Sequence, residues 1–261
     1  MSRYFRYFPT TTYLNRVVTD ITRRVKIIED LRADPYAFLP YTIKEGDRAE
    51  DVARYYYGDE NRVWMVYLSN NIVDPYTQWP LSNSDLEKTV LKKYSRDPVK
   101  FSSSDIDASV ISMTAHGFST TDPVVYTSSG SVASPLVNGT TYYVIKVDDN
   151  RVRLATSAAN AKVGTSITLT GTGGTSQSLE LNAEVFINST TIDTNILYAE
   201  NITTPGIFAS TDTYLAYPAQ WRPVRVYEYE IDLNESKRTI WLVNNLYANQ
   251  LEQDLIRSFN V

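Results

Sequence analysis

Six carboxylates fall within residues 45–60: Glu45, Asp47, Glu50, Asp51, Asp59 and Glu60. Glycoside hydrolysis needs two carboxyl groups facing each other across a cleft at about 5–9 Å, one of them with a raised pKa. These six read as lying on exposed turns and helix ends, where solvated carboxylates are the norm, so surface acid is the better account. The single histidine, His116, would have to serve any serine triad. It lies in a glycine-containing connection between strands, with no nucleophile elbow or oxyanion motif beside it. The chain has no cysteine, which excludes thiolate nucleophiles, disulfide staples and cysteine-ligated zinc and suits a reducing compartment. Gly171-Thr172-Gly173-Gly174 lacks the lysine and the helix-opening pattern of a phosphate loop and reads as a hairpin turn or flexible loop. No catalytic residue, cofactor site or metal site emerges, and an enzyme is not expected.

Charge and composition narrow the remaining classes. With 25 basic against 30 acidic residues the net charge is -5, so no global field recruits nucleic acid or an anionic membrane. The opening Met1-Ser2-Arg3-Tyr4-Phe5-Arg6-Tyr7-Phe8-Pro9 has no apolar core of signal-peptide length, and no run approaches the roughly 18 apolar residues of a spanning helix. A soluble, unexported protein is expected. Twenty tyrosines and four tryptophans supply amphipathic contact area, the currency of protein interfaces.

The elements that carry these residues divide by composition into an N-terminal arm (1–40), a mixed α/β stretch (41–95), a Ser/Thr/Gly/Val-rich insertion (96–182) and a C-terminal element (183–261). In the arm, residues 14–31 fit both helix and strand templates, and the Arg23-Arg24 doublet suits a solvated face or a partner's carboxylates. Tyr41-Thr42-Ile43-Lys44-Glu45-Gly46-Asp47 reads as a short strand and glycine turn. Ala49, Val52, Ala53 and Tyr56 then recur at helical spacing up to a stop at Gly58. Asp59 caps a second helix, in which Trp64, Tyr67, Leu68 and Asn71 repeat the spacing. Asn70-Asn71-Ile72-Val73-Asp74-Pro75 forms a turn, and Ser84-Asp85-Leu86-Glu87 a capping box opening a helix to Tyr94. Strands at 142–147 and 152–155 flank a turn at Asp148-Asp149-Asn150-Arg151. Residues 224–231 alternate with period two, Asn234-Glu235-Ser236-Lys237 turns, and 239–243 pairs back as a hairpin. A last helix from about Asn245 carries Tyr247, Leu251, Leu255 and Phe259 on one stripe.

The run from Tyr41 to Asp47 with Val52-Ala53 resembles a LysM module. With Tyr56-Tyr57-Gly58-Asp59, Trp64, Asn70-Asn71-Ile72, Asp74-Pro75 and Trp79-Pro80 it is similar to the LysM-like baseplate wedge subunit of T-even-type contractile phages. The likeness takes in Asp20-Ile21-Thr22-Arg23-Arg24 and residues 230–238, in two pieces flanking the insertion. The insertion is similar to a small β module recurring in phage tail and virion proteins. Glycan-binding LysM domains close with a Pro-Gly-Gln turn and an aliphatic-Ile-Pro strand, which residues 74–80 and a capped helix replace here. That departure argues against peptidoglycan binding and for protein docking; a peptidoglycan-binding LysM protein and a cell-wall hydrolase are the rival readings.

The expectation is therefore an α+β chain with a LysM-like β-α-α module, an N-terminal arm, an inserted antiparallel β domain and a C-terminal β-hairpin plus helix. The resemblance implies a virion protein of the tail baseplate, assembled in the host cytoplasm. Its implied partners are other wedge subunits and neighbouring wedges in a six-fold ring, with no cofactor, nucleic acid or membrane. Candidate interface residues are Arg23, Arg24, Trp64, Tyr76, Trp79, Trp221, Tyr247, Leu251, Leu255 and Phe259, each with the alternative of packing inside its own module.

Overall fold

The computed structural model describes residues 8–20 and 36–259. In chain order the elements are strands β1 (Thr10–Tyr13), β2 (Arg16–Thr19) and β3 (Phe38–Thr42), then helices α1 (Ala49–Tyr57), α2 (Val63–Ser69), α3 (Pro75–Gln78) and α4 (Asn83–Tyr94). Strands β4 (Val99–Phe101), β5 (Ile106–Asp107), β6 (Val110–Ser112), β7 (Pro123–Ser128), β8 (Thr141–Asp148) and β9 (Arg151–Ala155) follow. Next come α5 (Ala158–Lys162), β10 (Gln177–Leu181), α6 (Ala183–Asn188), β11 (Ile196–Asn201), β12 (Phe208–Ala209) and α7 (Thr211–Ala216). The chain closes with β13 (Trp221–Arg225), α8 (Val226–Ser236), β14 (Thr239–Val243) and α9 (Asn245–Phe259). This is a mixed α+β protein with small antiparallel sheets. It forms two compact units, Met1–Leu86 with Asp232–Val261, and Glu87–Ile231.

In the first unit β3 pairs antiparallel with β14, Tyr41 opposite Ile240 and Leu39 opposite Leu242. Helices α1 and α2 and the inner side of α9 close over that ribbon. One core results, from Ile43, Val52, Ala53, Tyr57, Trp64, Met65, Val66, Ile240, Leu242, Ala248 and Leu255. Helix α1 ends where its spacing says it should: Gly58 adopts φ 73 and its N–H donates to the Arg54 carbonyl at 3.0 Å. In α2 three consecutive residues, Trp64, Met65 and Val66, are buried, so the helix is packed on more than one side and its sequence shows no single clean stripe. The cap of α4 lies at Ser82, whose Oγ accepts the Asp85 N–H at 3.3 Å, two residues before the expected Ser84.

The C-terminal β-hairpin expected from residues 224–243 does not form. Only Trp221–Arg225 is strand; Val226–Ser236 is helix α8, and β14 pairs with β3 instead. The period-two pattern loses to a helical one in the same residues, since Val226, Glu230 and Asn234 are buried at steps of four.

The second unit holds a seven-stranded sheet in the order β4-β10-β7-β8-β9-β6-β5, every pairing antiparallel. Its strands run from Val99 to Leu181, within the compact unit Glu87–Ile231. Strands β8 and β9 turn at Asp148-Asp149-Asn150, where Asp148 Oδ1 accepts the Asn150 N–H at 2.9 Å. The inward residues Val124, Tyr126, Val144, Val152, Leu154 and Leu179 fill one face. A three-stranded sheet, β12-β11-β13, lies in the same unit.

Candidate interaction surfaces

Of the six carboxylates around α1, Asp59, Asp51 and Glu45 are engaged by hydrogen bonds or ion pairs, whereas Asp47 Oδ2 is buried with no hydrogen-bond partner. Asp59 Oδ1 accepts the Asn61 N–H at 2.9 Å and caps the turn leading to α2. Asp51 accepts the Arg48 N–H at 3.3 Å and pairs with Arg54 at 2.9 Å. Glu50 and Glu60 occupy first turns, where the helix dipole favours an anion. Glu45 accepts the Asn83 N–H at 2.6 Å and pairs with Arg238, which together hold its carboxyl below the usual range. His116 is buried with Nδ1 accepting the Phe118 N–H at 2.9 Å, so Nε2 carries the proton and donates to the Asp148 carbonyl at 2.8 Å. Both nitrogens are occupied by backbone. In the Gly171–Gly174 loop Gly173 adopts φ 69, and a Cβ there would meet the Ala133 nitrogen at 2.7 Å. Its carbonyls at Thr172 and Gly174 accept from the buried Gln177 amide at 2.9 and 2.7 Å. Among the described residues no group of His, Asp and Glu is placed to hold a metal ion.

The polar chemistry of the first unit is concentrated instead along a seam joining residues 45–83 to residues 234–252. Asn70 Oδ1 accepts the Trp241 N–H at 2.7 Å while its Nδ2 donates to the Trp241 carbonyl at 2.8 Å. The carboxamide thus does for β14 what a neighbouring strand would do. Asn234 repeats the device on Leu81, accepting its N–H at 2.8 Å and donating to its carbonyl at 3.0 Å. Around these two, Lys237 Nζ donates to the Thr77 carbonyl at 2.8 Å and Asn245 Nδ2 to the Tyr56 carbonyl at 2.8 Å. Arg62 donates to Asn249 at 2.6 Å and meets Glu252 at 3.1 Å. On the far edge of the ribbon Pro40 stands opposite Trp241 and has no N–H to present. Both edges of the β3–β14 ribbon are thereby closed to further strands.

The expected interface residues divide by this packing. Arg23 and Arg24 lie outside the described residues, as does the side chain of Phe259. Trp64, 7% exposed, and Leu255, 4% exposed, belong to the core, with Leu251 packed against it and Tyr247 half-buried. Trp79 is half-buried: its Nε1 donates to the Asp47 carbonyl at 2.9 Å and Tyr67 meets its ring edge-on at 6.4 Å. Trp221 is half-buried at the start of β13, opposite Asn201. Tyr76, on the first turn of α3, is 92% exposed. The reading from sequence passed over Trp241, half of whose surface is exposed, although Ile240 and Leu242 point inward and so turn it outward. It also passed over the exposed Tyr13, Tyr36, Tyr55 and Leu246, none of which lies on a stripe.

Residues 5–99 match the family model described as base plate wedge protein 53. The stretch spans roughly a third of the chain, from the approach to β1 through α4. No curated protein matches the chain. The match supports a structural role in a phage tail baseplate.

Proposed function

We propose that the chain is a non-enzymatic structural subunit of a contractile phage tail baseplate, whose LysM-like module joins neighbouring wedges through protein contacts. The observation that carries this is the likeness of residues 5–99 to base plate wedge protein 53. The succession β3, α1, α2 and β14 supports the LysM-like reading, since it is a strand, two helices and an antiparallel strand on one core. Where glycan-binding modules of that kind have a short turn between the second helix and second strand, residues 70–238 intervene here. Asp59, Asp51 and Glu45 are engaged in a cap and ion pairs, in keeping with a structural role. The implied partners are other wedge subunits in a six-fold ring, in a virion tail assembled in the host cytoplasm.

The test is loss of the gene. Tails prepared without the chain should stall as separate wedges in electron micrographs, and added wild-type protein should restore closed baseplates. Complete tails formed without it would overturn the reading. Retention on purified peptidoglycan that chitooligosaccharide competes away would move the assignment to a glycan-binding module.

A further inference from the structure

The loop between β6 and β7 passes three times through the left-handed region, at Ala115 (φ 49), Gly117 (φ 68) and Thr121 (φ 79). Between the first two bends and after them it carries buried rings: His116 is 4% exposed and Phe118 1%, stacked with centroids 5.6 Å apart. An alanine and a β-branched threonine are strained in that region, so the loop keeps its path only while neighbours hold it. The β8–β9 turn does the holding. The Ala115 N–H donates to Asn150 Oδ1 at 2.9 Å, the His116 N–H to the Asp149 carbonyl at 3.3 Å and His116 Nε2 to the Asp148 carbonyl at 2.8 Å. Within the loop the Phe118 N–H donates to His116 Nδ1 at 2.9 Å. That last bond differs from the others in its acceptor. The lone pair on Nδ1 exists only on the neutral ring, because an imidazolium is a donor at both nitrogens.

We propose that His116 is an acid-operated pin: uptake of a proton at Nδ1 turns the acceptor of the Phe118 N–H into a second donor, and the β6–β7 loop leaves the β8–β9 turn and uncovers Phe118. The released loop has room for both ring protons and the closed loop for one. Acid therefore favours release, starting where an ordinary histidine takes up its proton, about pH 6.5. The charged groups facing the ring do not offset this. Asp148 and Asp149 in the turn are already paired with Arg151 and Lys146, at 2.6 and 2.7 Å, and those hydrogen bonds hold both carboxyls below the usual range. Arg96 donates to the Gly117 carbonyl at 2.8 Å and brings a like charge to the loop, which disfavours an imidazolium there. Asp122, 1% exposed, acts in the opposite direction: burial raises its carboxyl, so the stability it contributes is gained as pH falls. The pin lies wholly in the second unit and is independent of the baseplate reading.

The experiment uses the full chain, whose single histidine gives one set of imidazole nitrogen signals in a magnetic resonance spectrum. At neutral pH those signals should show the tautomer protonated at Nε2. Hydrogen exchange of the Phe118 amide, corrected for the intrinsic rate, should lose about tenfold in protection per pH unit below about pH 6.5. His116→Asn offers an amide oxygen to the Phe118 N–H and cannot take up a proton, so its protection should stay level over the same range. Asp122→Asn should keep the wild-type loss in acid, since Asp122 works with the opposite sign. An Nδ1-protonated tautomer at neutral pH overturns the pin, as does wild-type protection that is unchanged down to about pH 5. A loss as steep in H116N as in wild type assigns the acid response to another group and overturns it too. Should H116N melt far below wild type, the ring tautomer and the wild-type exchange profile decide without it: level protection refutes the pin, and the tenfold slope with an Nε2-protonated ring supports it.

Discussion

Replacing Asn70 by alanine tests whether one carboxamide holds the two ends of the chain together. Its amide makes two bonds to Trp241, at 2.7 and 2.8 Å, and a third to the Val66 carbonyl at 2.8 Å. A neutral hydrogen bond contributes a net of about 0.5–1.5 kcal/mol. The Trp241 carbonyl keeps Ser69 Oγ at 2.8 Å, so its loss is partly made good. The Trp241 N–H has no such substitute except water, which the half-exposed position admits. The expected cost of N70A is therefore about 1–2 kcal/mol, toward the middle of what two bonds would give. Asn70→Asp sharpens the test. It keeps an acceptor for the Trp241 N–H but turns a carboxylate toward two carbonyls, which raises its pKa above the ordinary value of about 3.9. A raised folded-state pKa means that stability is present below the ordinary value and falls as pH rises through the raised one. N70D should accordingly approach wild type near pH 3 to 4 and be at least as damaged as N70A at neutral pH, by about 1–2 kcal/mol. Because the chain has two compact units, global unfolding need not be two-state. Hydrogen exchange of residues 238–244, read by mass spectrometry, gives the local free energy directly. Exchange in N70A within about 0.3 kcal/mol of wild type would refute the argument, as would a pH-independent N70D.

Other expectations are checked more simply. Leu255→Ala should cost about 2–5 kcal/mol in urea titration of the first unit, because Leu255 is buried against α1 and β14 in the core. Truncation before Asn245 removes Ala248 as well and should abolish that unit's cooperative melting, whereas a folded truncated chain would free α9 for a partner. Asn234→Ala leaves the Leu81 N–H and carbonyl without their partner and should cost about 1–3 kcal/mol, read as a lowered melting temperature. Burial raises the Asp122 carboxyl, so folding stability should decline as pH climbs from the ordinary carboxylate range through the raised value, and Asp122→Asn should flatten that decline. Replacing residues 83–231 by a short Gly/Ser linker should leave the first unit folded, since Asn234 holds Leu81 beside the point of return; loss of its melting transition would show that the second unit is needed for folding.

What the sequence disclosed was local. The α1 stripe, the left-handed stop at Gly58, the Asp59 cap and the turn between β8 and β9 each rest on residues within a few positions of one another. The partner of β3 could not be read this way, because pairing across nearly the whole chain leaves no periodic mark. Residues 226–231 of α8 read as alternation and Asn234 as a turn, yet Val226, Glu230 and Asn234 also fall at steps of four, and tertiary burial decided for the helix. The bonds of Glu45 to Asn83 and Arg238 depend on neighbours that are remote in sequence and leave no local mark. Asn70 stood among the residues that carried the resemblance, yet its bond to Trp241 was invisible until the strand it serves was placed.

The order in which the chain is made gives the β3–β14 pairing a further meaning. A ribosome delivers β3, α1 and α2 early, then the whole of Glu87–Ile231, and only afterwards β14 and α9. The intervening unit has its own sheet and can fold while the first core still lacks Ile240, Leu242, Ala248 and Leu255. A nascent or prematurely stopped chain therefore carries an open apolar surface where the finished one has a closed core, and such fragments are marked for chaperones and proteases. Synthesis of the last elements acts as a completeness check: the surfaces of the first unit exist in their final form only on chains translated past Leu255.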